Sequence, residues 1–137
     1  MDIKIRNLEE KDYETLEKWW KWHRFTPPPK HILPNNGKDG IMLKNGDVEV
    51  CAGFLYATSS PYLYWVEWIV SNPDVKDREV RDVCITTLIQ SLSQMAKNMG
   101  ATTIYTTLKN ENLKQKFLYG GYKVSGYGNI EMIKSLV

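Results

Sequence analysis

Glu67 is the carboxylate of this chain whose surroundings suggest chemistry. It interrupts Tyr62-Leu63-Tyr64-Trp65-Val66-Glu67-Trp68-Ile69-Val70, an otherwise aromatic and aliphatic run of the kind that forms a strand. A carboxylate in such a run is costly unless it is partnered or faces a cleft. Burial would raise its pKa toward the range useful to a general base. The other reading has it pointing into solvent from one sheet face. By strand alternation Trp65, Glu67 and Ile69 share one face, and Val66, Trp68 and Val70 the other.

A second group follows the turn Asn72-Pro73-Asp74. Lys76, Arg78 and Arg81 stand where a helix begins, with apolar residues at Val80, Val83, Cys84, Leu88, Leu92, Met95, Ala96 and Met99, and Gly100 behind them. That spacing predicts a helix over 80–99. A strand, a tight turn and a helix in this order aim free N–H groups and the positive helix dipole at one point, a natural place for phosphate. Between Asp74 and Asp82 there are three bases and four acids. Two readings stay open: the three bases clamp phosphates by side chain, or the helix start is capped and solvated.

Other reactive residue types carry less. His23, His31, Cys51 and Cys84 have no zinc-ligand spacing, and the two cysteines read as buried free thiols. There is no Walker loop and no dinucleotide fingerprint. Trp19, Trp20, Trp22, His23 and Phe25 precede Pro27-Pro28-Pro29. They read either as core at helical spacing or as the wall of a site for an amine or a ring.

The elements that must position these groups follow in order. Ile3 and Ile5 alternate with Lys4 and Arg6 in an opening strand. Asp12 is placed to cap a helix whose apolar face is Tyr13, Leu16, Trp19, Trp20 and His23. Residues 24–40 form a long connection with few apolar anchors, and connections of that length are often functional. Asn45-Gly46 marks a hairpin between residues 41–44 and 48–57. After the long helix come a strand at 102–107, a short helix at 110–119 closed by Gly120-Gly121, and two last short strands at 122–124 and 130–133. The 137 residues make one domain, 1–137, of α+β class, with a mixed, mostly antiparallel twisted sheet flanked by helices. Net charge is +2, and the bases are too scattered to argue for nucleic acid. No apolar run is long enough to span a membrane and no signal-peptide pattern opens the chain, so the expectation is a cytoplasmic protein. The sequence is silent on oligomeric state.

This order resembles the GNAT superfamily of acetyl-CoA-dependent N-acetyltransferases, over nearly the whole chain. The resemblance rests on Ile3 to Leu16 with Arg6 and Asp12, on Val70-Ser71-Asn72-Pro73-Asp74-Val75 at the end of the fourth strand, and on Asn110 through Gly121-Tyr122. It implies a GNAT-like (acyl-CoA N-acyltransferase) fold and acetyl-CoA as co-substrate. The pantetheine arm would pair with backbone groups of Ile69 and Val70, phosphates would meet Lys76, Arg78 and Arg81, and Asn110 would open the last helix beside the cofactor. It also implies Glu67 as base and a small-molecule or peptide amine as acceptor, entering beside residues 24–40. Two departures stand out. The family's Gln/Arg-x-x-Gly-x-Gly/Ala falls on Lys76-Asp77-Arg78-Glu79-Val80-Arg81, with Glu79 and Arg81 at the glycine positions. Phe117 falls where the family usually has a Tyr that protonates the leaving thiolate, and Phe has no proton to give. The alternative expectation is therefore a GNAT-fold binding module that has lost catalysis.

Overall fold

The computed structural model describes residues 1–137. Five strands and three helices alternate along the chain: β1 (Ile3–Asn7), α1 (Tyr13–Trp22), β2 (Ile41–Asn45), β3 (Val48–Ala57), β4 (Leu63–Ser71), α2 (Arg78–Asn98), β5 (Thr103–Thr106) and α3 (Glu111–Tyr119). The strands lie in chain order in one sheet. β1 to β4 pair antiparallel, β2 with β3 and β3 with β4 through short turns and β1 with β2 across the span that holds α1, and β5 pairs parallel to β4 after the α2 crossover.

Each sheet face is covered by a different layer. On one, α2 sets Cys84, Leu88, Ile89 and Leu92 against Ile41, Leu43, Cys51 and Val66. Gly53 makes this approach possible: a β-carbon there would lie 3.0 Å from Ile69 and 3.3 Å from Leu92. On the other face, Leu16, Trp19 and Trp20 of α1 join Leu8, Leu33, Met42, Ala52, Phe54 and Val70. Burial of each large side chain is worth about 1.5–3 kcal/mol, so both layers are needed to hold a sheet this small. Cys51 and Cys84 are buried free thiols in the α2 layer.

Several expectations change on contact with the structure. Asp12 does not cap α1 with its side chain; it accepts from the Glu9 N–H at 2.8 Å and receives a two-pronged bond from Arg6, at 2.8 and 2.9 Å. His23 is exposed, outside the buried face of α1. The 24–40 connection is better anchored than its composition suggests. Leu33 is buried, Tyr13 Oη donates to the Pro28 carbonyl at 2.7 Å, and Tyr56 Oη donates to the Ile32 carbonyl at 2.9 Å. The two last strands are absent. Tyr122 is held by Phe117 and by a 2.7 Å bond to Ser93, but residues 123–137 pair with nothing, and Ile130, Met132 and Ile133 stay exposed. Hydrophobic alternation without a neighbouring strand to receive it makes no sheet.

Candidate functional site

The site begins with an irregularity in β4. Phe54 pairs with Glu67, yet Ala52 pairs with Val70, so β4 carries one more residue than β3 over this span. The extra residue is a β-bulge. Trp68 sits in it at φ +63°, a left-handed conformation that side chains other than glycine adopt at a cost. The cost is met by packing: the Trp68 ring meets Trp20 edge-on at 6.4 Å, and its Nε1 donates to Tyr56 Oη at 2.8 Å.

The bulge overturns the strict alternation expected for β4. Glu67 and Trp68 both lie on the α1 side, Ile69 packs on the α2 side, and Val70 returns to the α1 side. Glu67 and Ile69 therefore do not share a face.

At the same place β4 and β5 part. Val66 and Thr106 are their last paired residues, tied also by Thr106 Oγ1 donating to the Val66 carbonyl at 2.9 Å. Beyond them the strands diverge, and no residue of β4 from Glu67 on has a partner on that side. The opening is a cleft of about 580 Å³. Its floor is Ile69, Val70 and Ser71; α2 contributes Arg78, Arg81, Asp82 and Ile85. From α3 and the residue before it come Asn110, Asn112, Leu113 and Lys116, while Trp20, His23 and Phe25 close the α1 side. His23 Nε2 donates to the Ser71 carbonyl at 2.9 Å. A carbonyl oxygen can only accept, so this nitrogen carries the proton.

Glu67 stands at the apex of the split. Its Oε2 accepts from Trp65 Nε1 at 3.0 Å and from Thr107 Oγ1 at 3.3 Å. Burial pushes its pKa up, against these two hydrogen bonds and a backbone contact that hold it down, while the Glu131 charge adds to the rise. It is a half-buried carboxylate with one oxygen occupied and the other free of side-chain donors.

The remaining sequence candidates divide. Ile69, Val70, Arg78, Arg81 and Asn110 meet in the cleft wall. Lys76 does not; its ammonium lies 5.8 Å above the Trp22 ring. The Asn110 side-chain oxygen is committed to the Leu113 N–H at 2.9 Å, as a helix cap. Phe117 is buried in the α2 layer against Tyr122, 4.8 Å between ring centres, and does not line the cleft. Tyr119 points outward, 77 % exposed. Neither position offers the cleft a phenol. Lys116 does reach it, with its ammonium 3.2 Å from Asp82 and 17 % of the side chain exposed. It escaped the sequence reading, although Asn112, Leu113 and Lys116 follow the one-face spacing of a helix.

No protein-family model matches the sequence, and no curated protein does. Solved structures do. N-acetylglutamate synthase from Neisseria gonorrhoeae, complexed with coenzyme A and L-arginine, superposes at a TM-score of 0.70 with 12 % identity, over 91 % of this chain and 28 % of that one. This chain thus spans little more than a quarter of that enzyme. A putative acetyltransferase from Agrobacterium tumefaciens str. C58 matches at 0.68 with 10 % identity, over 96 % of this chain and 99 % of its own. Glucosamine-6-phosphate N-acetyltransferase from Arabidopsis thaliana matches at 0.63 with 13 % identity over the full length of both. The chain has the GNAT acetyltransferase fold. At these identities the likeness speaks for the fold alone. In this GNAT fold the cleft lies between the parting fourth and fifth strands, with α2 beginning at its rim.

The residues present fit one part of acetyl-CoA better than another. The unpaired edge of β4 suits an amide-bearing arm, because its N–H and C=O groups are free to pair. The start of α2 is less suited to a pyrophosphate. Asp77 accepts from the N–H groups of Glu79 at 3.0 Å and Val80 at 3.3 Å, and its carbonyl takes the Arg81 N–H at 3.1 Å. Glu79 adds a carboxylate to the same turn. Arg78 and Arg81 remain as the cations there. No helix is long and apolar enough to cross a membrane.

Proposed function

We propose that this chain transfers an acetyl group from acetyl-CoA to the nitrogen of a small-molecule or peptide amine. The observation that supports the reading is the bulged, unpaired end of β4: Glu67 stands one residue beyond the last β4–β5 pair, close along the strand to the Ile69, Val70 and Ser71 floor of the cleft though not itself in the lining. Acetyl-CoA, when bound, supplies an activated acetyl thioester.

The chain's own residues have three tasks. Backbone groups of Ile69 and Val70 hold the pantetheine arm along the free edge. Glu67 takes the proton of the incoming ammonium at its free oxygen, directly or through one water; its raised pKa favours that role. Trp65 and Thr107 fix the carboxylate so that the lone pair is presented in one direction.

A second reading has its own support. The helix start is filled by Asp77, and no phenol reaches the cleft. Both features suit a GNAT-fold binding module without catalysis. Thiol release from acetyl-CoA, followed over a broad panel of primary amines, separates the two. Amine-dependent release that Glu67→Gln abolishes supports transfer. Ligand binding without release, in wild type, supports the module.

A further inference from the structure

We propose that the cleft is built for a pantetheine thioester ending in a single phosphate, 4′-phosphopantetheine or its carrier-bound form, and not for the nucleotide portion of coenzyme A. The inference rests on the thioester site described above and concerns which donor that site takes.

Two observations point this way. The first is occupancy of the α2 start. A pyrophosphate held in the usual manner of a helix N-terminus needs the first-turn N–H groups. Here the Asp77 carboxylate already takes those of Glu79 and Val80, at 3.0 and 3.3 Å, and the Arg81 N–H is spent on the ordinary helical bond to the Asp77 carbonyl. A diphosphate would have to displace a carboxylate that caps the helix, and approach past the Glu79 and Arg81 side chains where glycine would admit it.

The second is the charge of the cleft. Its wall holds Arg78, Arg81 and Lys116 as cations and Asp82 as the one carboxylate. Asp82 lies 3.2 Å from the Lys116 ammonium and 3.9 Å from Arg78. The net charge of two positives matches the phosphomonoester of free 4′-phosphopantetheine, close to a dianion at neutral pH, and exceeds by one the phosphodiester of the carrier-bound form. Coenzyme A carries a diphosphate and a further phosphate, roughly double that charge. Lys76, the base best placed by sequence to add to the set, is turned to Trp22. Arg81 is the natural phosphate partner, because it is half-buried in the wall, and a guanidinium binds phosphate through two parallel N–H bonds.

The test is binding at low salt, by calorimetry, of coenzyme A, 4′-phosphopantetheine, pantetheine and a holo acyl carrier protein. The expected result is 4′-phosphopantetheine at least as tight as coenzyme A, and about tenfold or more tighter than pantetheine, the worth of one charge-assisted contact. Carrier protein binding more tightly than free 4′-phosphopantetheine identifies the carrier as the source; the reverse identifies the free compound. Coenzyme A binding more than about tenfold tighter than 4′-phosphopantetheine, or pantetheine equal to 4′-phosphopantetheine, overturns the proposal, as does failure of all four to bind.

Asp77→Ser tests the cause. Serine keeps a capping oxygen but removes the charge. Affinity for coenzyme A should then rise about tenfold, with 4′-phosphopantetheine changing less than about threefold. No gain for coenzyme A overturns the role given to Asp77. Acetylation of an amine is read separately: tight 4′-phosphopantetheine binding with no transfer from its acetyl thioester defeats the catalytic reading and leaves this one standing.

Discussion

Thr107 and Glu67 are joined at the apex of the split between β4 and β5: Thr107 Oγ1 donates to Glu67 Oε2 at 3.3 Å, one residue beyond the last β4–β5 pair. The carboxylate is thereby fixed where two strands separate, half-buried, with Trp65 on the same oxygen.

Glu67→Gln is expected to lower turnover by about 10²–10⁴-fold, the usual worth of a general base. The acidic limb of the kcat/KM profile should lie above the ordinary glutamate range, since burial raises the Glu67 pKa. Stability should move oppositely. A folded-state pKa above the unfolded one means that protonated Glu67 favours the fold; this contribution is complete below the unfolded pKa and is lost as pH rises through the folded one. At neutral pH, Glu67→Gln should melt at or above the wild-type temperature. A variant both inactive and markedly less stable would show that Glu67 is structural.

Arg6 is expected to matter for folding and not for chemistry. It binds Asp12 at 2.8 and 2.9 Å and also pairs with Glu49, joining β1, the entry to α1, and β3. Asp12 is 6 % exposed. Arg6→Ala leaves that carboxylate buried and unpaired, at a cost of about 2 kcal/mol. Arg6→Lys should rescue only part of this, having no fork to match. The Arg6 guanidinium holds the Asp12 carboxyl below its usual pKa, against the opposing effect of burial. The stability it adds is present above the unfolded Asp pKa and lost as pH falls through the folded one. Denaturant titrations of both variants between neutral and acidic pH would read this directly.

Lys76 and Arg81, five residues apart in the chain, should behave differently. Arg81→Ala should weaken phosphate-bearing ligands by about 1–2 kcal/mol, with the loss largest at low salt. Lys76→Ala should change their binding little, because Lys76 faces Trp22 and not the cleft. Equal losses from the two, measured by calorimetry, would show that the ligand crosses the helix start outside the cleft.

Phe117→Tyr should not create a proton donor. Phe117 is 3 % exposed and enclosed by the α2 layer, so a hydroxyl there has to be buried, at about 1–3 kcal/mol. Turnover should stay flat and the melting temperature fall. Tyr119→Phe should alter neither, as its hydroxyl stands in solvent. A rate increase in Phe117→Tyr would mean that α3 rotates when ligand binds.

Much of this was legible in the sequence for local reasons. The run from Tyr62 to Val70, the turn at Asn72-Pro73-Asp74 and the helix spacing behind it gave β4 and α2, and Asn45-Gly46 gave the β2–β3 hairpin. The filled helix start was half visible, since acids at Asp77 and Glu79 suit a capped helix. The bulge was not visible. Its left-handed residue is a tryptophan, and nothing local marks Trp68 as the exception; only packing against Trp20 and Tyr56 holds it there. The last two strands failed for the complementary reason: the alternation around Ile130 and Met132 is real, but a strand needs a partner, and that is a tertiary fact.

The surplus residue in β4 also bears on how this protein tolerates change in its length. Upstream of Trp68 and downstream of it, the strand runs in opposite phase: odd positions face one layer before it and the other after it. Deletion of Trp68 would leave Ile69 and Val70 on their present faces, since the surplus residue is the one removed, but would straighten the strand and close the edge that the kink leaves open; a substitution that let position 68 rejoin the pleat would turn Ile69 and Val70 over together. The length of β4, as much as its composition, therefore holds the cleft edge open.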